Sequence, residues 1–102
     1  MAEFVKVAKT AEIAPGQAKM VEANDKKIAL FNVDGSFYAI EDTCTHAGGP
    51  LSEGELDGPR VTCPWHRSIF NVTTGEVLGP PAGRGVTRYN TRVEGDDVGV
   101  EV

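Results

Sequence analysis

Short apolar runs separated by turn residues make up most of this chain. No stretch sustains the period of about 3.6 residues that marks an amphipathic helix. The pattern predicts strands over Phe4–Ala8, Ala18–Glu22, Lys27–Val33, Ser36–Ile40, Val86–Glu94 and Val98–Val102. Pro15-Gly16, Asn24-Asp25, Asp34-Gly35 and Gly95-Asp96-Asp97 stand between them as turns. Asp34-Gly35 is the strongest hairpin signal, because both residues tolerate the positive φ of a two-residue turn. A single helical turn is expected near Ala11–Ile13. Strands at this spacing predict an all-β domain.

The segment from about residue 42 to 81 breaks the pattern. Glycine and proline crowd it: Gly48-Gly49-Pro50, Gly54, Gly58-Pro59, Pro64, Gly75 and Gly79-Pro80-Pro81. Such residues suit tight loops whose backbone N–H groups turn inward. A loop-built subdomain mounted on a β scaffold is the expectation. With 102 residues the chain reads as one domain, 1–102, with a modest core. That size leaves little room for a substrate cavity beside a cofactor, and favours a carrier or binding module over a self-sufficient enzyme.

Charge narrows the partners. Fifteen acidic against ten basic residues give a formal net charge of −5. Nucleic acid needs a concentrated basic face, and anionic membranes attract basic ones. Neither fits; the acidic excess can steer the chain towards a basic protein partner or simply keep it soluble. The start, Met1-Ala2-Glu3-Phe4, shows no basic region followed by an apolar run, and no stretch approaches the roughly 20 apolar residues of a membrane span. A soluble, cytoplasmic monomer is expected.

Both cysteines and both histidines fall in the middle segment, as Cys44-Thr45-His46 and Cys63-Pro64-Trp65-His66, with sixteen residues between His46 and Cys63. Disulfides are rare in a reducing cytosol. Two short pairs of soft and borderline ligands let two loops meet around a metal. Incidental residues would require four independent placements in two loops. On ligand type alone two centres fit: a tetrahedral structural zinc in an interaction module, or a 2Fe–2S cluster with cysteines on one iron and histidines on the other.

The flanking residues resemble the Rieske family. Cys44-Thr45-His46-Ala47-Gly48-Gly49-Pro50-Leu51 and Cys63-Pro64-Trp65-His66 match its two boxes. Similarity continues through Ser52-Glu53-Gly54-Glu55-Leu56, Thr74-Gly75-Glu76-Val77 and the proline-containing Gly79-Pro80-Pro81-Ala82. The resemblance implies a Rieske fold, all-β with antiparallel sheets in a sandwich and a loop-built cluster-binding subdomain, and one 2Fe–2S cluster on Cys44, His46, Cys63 and His66. High-potential members carry a second cysteine in each box and a membrane anchor. Here Gly49 and Trp65 hold those positions. The chain is more similar to the soluble Rieske ferredoxins, which pass electrons from a flavoprotein reductase to a terminal ring-hydroxylating oxygenase. The small subunit of assimilatory nitrite reductase is a related alternative. On either reading the chain is an electron-transfer component and not itself an enzyme.

Two imidazoles in place of two thiolates leave the oxidised cluster formally neutral. Its potential therefore rises from about −400 mV towards a range of about −150 to +300 mV. High-potential members add a serine and a tyrosine hydroxyl after the second box. Ser68 stands at the serine position but Phe70 at the tyrosine one, so a low potential is expected. The family usually has glycine where this chain has Arg67, which is expected beside the cluster edge. Trp65 is expected mainly in core packing. Glu41, Asp42, Glu53, Glu55 and Asp57 are candidates for an acidic docking rim.

Overall fold

A computed structural model of the chain describes residues 4–43, 50–65, 67–79 and 85–101. Eleven strands form three antiparallel sheets among these residues. The central sheet contains β2 (Ala18–Ala23), β3 (Lys26–Val33), β4 (Ser36–Glu41) and β9 (Arg88–Tyr89), in that order. A second sheet pairs β1 (Phe4–Lys9) with β11 (Asp97–Glu101), and β11 with β10 (Thr91–Glu94). The third runs β5 (Glu55–Asp57), β6 (Arg60–Thr62), β7 (Ile69–Asn71) and β8 (Val77–Gly79).

Strand β3 shows why three layers form. Ile28, Ala29, Leu30 and Phe31 are all buried, so this strand is covered on both faces. Alternate side chains point to opposite faces. Ala29 and Phe31 join Ile40, Leu51, Val61, Cys63, Phe70, Val72 and Val86 in one core, towards the third sheet. Ile28 and Leu30 join Val21, Ala39, Val98 and Val100 in the other, towards the second. The central sheet is thus the shared wall between two cores.

The turns follow local chemistry. Asn24 and Asp25 at φ 50° and 65° connect β2 to β3, and Asp34 and Gly35 at φ 51° and 92° connect β3 to β4. Left-handed backbone at both central positions matches the twist of the flanking strands. Asn32 ties this hairpin to the rest. Its side-chain amide donates to the Ile13 carbonyl (2.8 Å), and its Oδ1 accepts the Gly35 N–H (2.8 Å). Asn32 and Ile13 are buried, so Asn32→Ala takes the side-chain donor from the Ile13 carbonyl and is expected to cost about 2 kcal/mol by urea denaturation.

Thr10–Glu12 is a single 3-10 turn, one residue earlier than the helical turn expected at Ala11–Ile13. Glu12 accepts the Lys9 backbone N–H (2.9 Å) and pairs with the Lys19 ammonium. The Lys19 hydrogen bond first, and then the Lys9 one, hold its carboxyl below the usual value. A depressed folded-state pKa contributes stability that is present above the unfolded pKa and lost as pH falls through the folded one. Glu12→Gln should therefore lower stability slightly near neutral pH and leave it unchanged in strong acid, as read from urea midpoints across pH.

Two expectations need correction. The middle segment is not loops alone, because β5 to β8 give it a sheet of its own. These strands are short (three residues each) and too brief to show alternation. The single strand expected over Val86–Glu94 is two. Arg88–Tyr89 pairs with β4, and after Asn90 the chain crosses to pair Thr91–Glu94 with β11. No glycine or proline marks that switch. The other strands fall within one residue of the predicted bounds at each end.

Candidate metal centre

A bridge between Thr43 and Pro50 brackets residues 44–49, the first candidate ligand loop. Asp42 reinforces it. Its carbonyl accepts the Leu51 N–H (2.6 Å), its Oδ1 accepts the Ser52 N–H (2.8 Å), and its own N–H donates to the Lys27 carbonyl (3.1 Å). Asp42 is only 5% exposed, so it is a clamp and not part of an acidic rim. Glu41 is also engaged. Its carboxylate accepts the Thr87 N–H (2.8 Å), and burial first, then the Glu41 charge, pushes the Tyr89 hydroxyl pKa up. Glu53, Glu55 and Asp57 remain exposed.

The second loop extends the β6–β7 hairpin. Cys63 N–H donates to the Ser68 carbonyl (2.8 Å), and Arg67 N–H donates to the Cys63 carbonyl (3.0 Å). This turn needs left-handed backbone at Arg67, where φ is 63°. The expected glycine position is thus a real conformational demand, met here by arginine. Cys63 is wholly buried, packed with Leu51, Val61 and Phe70, and is not in a disulfide among the described residues. Ser68 and Phe70 are also fully buried. Trp65 is 59% exposed, which corrects its expected core role: it sits on the outward part of the turn.

The two loop bases meet at Gly54. The 3-10 turn Leu51–Glu53 follows the first loop, and Gly54 after it lies against Thr62, the residue before Cys63. A Cβ at Gly54 would stand 2.2 Å from the Thr62 carbonyl oxygen and 3.1 Å from that of Leu51. A surface cleft of about 280 Å³ opens here, lined by Glu53, Glu55, Thr62, Cys63, Pro64 and Arg67. Further round, Gly75 and Gly85 cross closely: a Cβ on either would lie 2.3 Å from a carbonyl oxygen of the other segment, and Val86 N–H donates to the Gly75 carbonyl (2.8 Å).

Cys44, His46 and His66 lie outside the described residues, as do Gly48, Gly49, Pro80 and Pro81. Among the described residues no three histidine, cysteine or acidic side chains converge on a metal position. What is described fits a thiolate-held cluster. Cys63 is a buried soft donor at the wall of an open cleft, and each ligand loop is pinned at its base. Sequence reasoning missed the Asp42 clamp and the Gly54 contact. The only signal at Gly54 was a glycine among many in a loop-like segment.

The model of the Rieske [2Fe-2S] domain matches residues 3–90. The biphenyl dioxygenase ferredoxin subunit of Pseudomonas sp. (strain KKS102) is 44% identical over 99 residues, covering 96% of this chain and 91% of that protein. A solved complex of reduced oxygenase and oxidized ferredoxin in carbazole 1,9a-dioxygenase matches with TM-score 0.89 and 36% identity, over 95% of this chain and 91% of the matched one. The terminal oxygenase of carbazole 1,9a-dioxygenase from Novosphingobium sp. KA1 also contains the fold: TM-score 0.84 and 26% identity, over 96% of this chain but 29% of that one.

Proposed function

Since this chain belongs to the Rieske [2Fe-2S] domain family, we propose that it carries single electrons from a flavoprotein ferredoxin reductase to a terminal ring-hydroxylating oxygenase. The observation that carries this reading is 44% identity to a dioxygenase ferredoxin subunit over nearly the full length of both chains. The buried Cys63 thiol beside an open cleft, on a turn outside the central sheets, supports it. Cys44, His46, Cys63 and His66 would hold the cluster, which supplies a one-electron couple. The chain's own residues hold that centre near the surface: Asp42 and Gly54 fix the first loop, and the Cys63–Ser68 turn fixes the second. It acts as a monomer in the cytoplasm, a single domain that performs no catalysis of its own. Among the described residues no helix is long and apolar enough to cross a membrane.

EPR of the dithionite-reduced protein tests the centre. A rhombic signal with the low average g of mixed cysteine and histidine ligation is expected, and a silent or colourless sample would sink the reading. Mixing with a flavoprotein reductase and the biphenyl oxygenase tests the carrier role: NADH-driven product formation should require this chain.

A further inference from the structure

We propose that Arg67 selects the redox partner, by setting an unpaired cation beside the exposed Glu53 and Glu55 and so fitting a protein face on which a carboxylate stands among basic side chains. This rests on the carrier reading above.

Four non-glycine residues among those described have positive φ. Asn24, Asp25 and Asp34 occupy two-residue hairpin turns that demand it, and their short polar side chains tolerate it. Arg67 is the exception: a long side chain gains nothing locally from left-handed backbone, and glycine would adopt the same turn without strain. Backbone of this kind persists where the surrounding structure imposes it, and it clusters at functional sites. The Arg67 side chain is exposed and makes no hydrogen bond or ion pair with any described residue, although Glu53 and Glu55 line the same cleft. It follows directly after His66 in the chain, so its charge lies at the cluster end of the molecule.

The charge pattern defines the partner. Exposed Glu53 and Glu55, on the cleft that Arg67 lines, draw a basic face towards this end. Arg67 then discriminates among basic faces. One with a carboxylate opposite it gains a contact, and one with lysine or arginine there meets a like charge.

The test uses the reduced holoprotein and two small oxidants of opposite charge, anionic ferricyanide and cationic tris(phenanthroline)cobalt(III), followed by stopped flow at low salt. Arg67→Gln should slow ferricyanide several-fold and speed the cobalt complex, with both effects vanishing at high salt. Arg92→Gln makes the same change in net charge on the second sheet, where Arg92 pairs with Glu94 and covers Phe4, and should do far less. Equal effects of the two variants overturn the Arg67 proposal alone. Failure of the wild type to reduce either oxidant overturns the carrier reading itself. Two further measurements bear on docking and strain. Arg67→Glu should bind the biphenyl oxygenase about tenfold more weakly than wild type, with Arg67→Lys close to it. Equal affinity of all three, or no binding by the wild type, overturns the partner assignment. Arg67→Gly should melt higher than wild type, and a lower melting point would show that no strain is held there.

Discussion

Cys63→Ser is expected to yield protein without the visible absorption of a 2Fe–2S centre and with iron content close to zero. Serine offers a harder, far less acidic oxygen where iron requires a soft thiolate. The loss should extend to the fold. Cys63 is wholly buried against Leu51, Val61 and Phe70, where a hydroxyl must find a partner or cost about 1–3 kcal/mol. Cys63→Ala separates the two effects. It removes the ligand without burying a hydroxyl, so its cluster-free form should be more stable than that of Cys63→Ser. Full iron content with an unaltered EPR signal in either variant would remove Cys63 from the ligand set.

Gly54→Ala is expected to lower stability by about 3 kcal/mol, at the upper end of overpacking costs. The cause is contact, not backbone conformation: φ at Gly54 is −76°, which alanine adopts freely. Its Cβ would stand 2.2 Å from a carbonyl oxygen of β6, and a backbone atom cannot swing aside as the end of a side chain can. Relief requires the Leu51–Glu53 turn to move off Thr62, and that turn carries the first ligand loop while Thr62 carries the second. The surviving folded protein should therefore lose iron to a chelator faster than wild type. Urea denaturation and chelator kinetics measure the two consequences. A change under about 0.5 kcal/mol, the usual size for an unconstrained surface position, would show that the bases are not in contact.

The scaffold strands were legible because residues such as Ile28 to Val33 and Phe37 to Ile40 carry strong apolar runs between turns of unambiguous chemistry. Asp34-Gly35 needs no tertiary context to turn the chain. The third sheet was not legible, since Arg60-Val61-Thr62 or Ile69-Phe70-Asn71 is too short to display a period, and its strandedness depends on neighbours supplied by the fold. The switch at Asn90 is tertiary in the same sense: which sheet receives Thr91–Glu94 depends on where β11 lies. Of the site, two short spacings named four candidate ligands, of which only Cys63 lies among the described residues. The devices that hold the loops were not legible. Asp42 acts on residues nine and ten positions later, and Gly54 matters through Thr62, eight residues on. Neither relation leaves a local signature. Trp65 shows the opposite error. A large aromatic suggests core by default, yet the buried positions of this turn are its ends, Cys63 and Ser68, and Trp65 stands on the outward part between them.

The pairing of Phe4 with Glu101 brings the first and last described strands side by side, across the central sheet from the core that contains Cys63. A unit whose entrance and exit adjoin can be spliced into a surface turn of a larger chain without opening either core. The same geometry makes it a portable cassette, able to travel as a free shuttle or be built into its recipient as a segment. The carbazole oxygenase chain, in which this fold fills under a third of the length, has the second arrangement. A fusion made through these ends should leave the Cys63 turn open to solvent, which suits the domain to tethering on an electrode or grafting onto another redox protein.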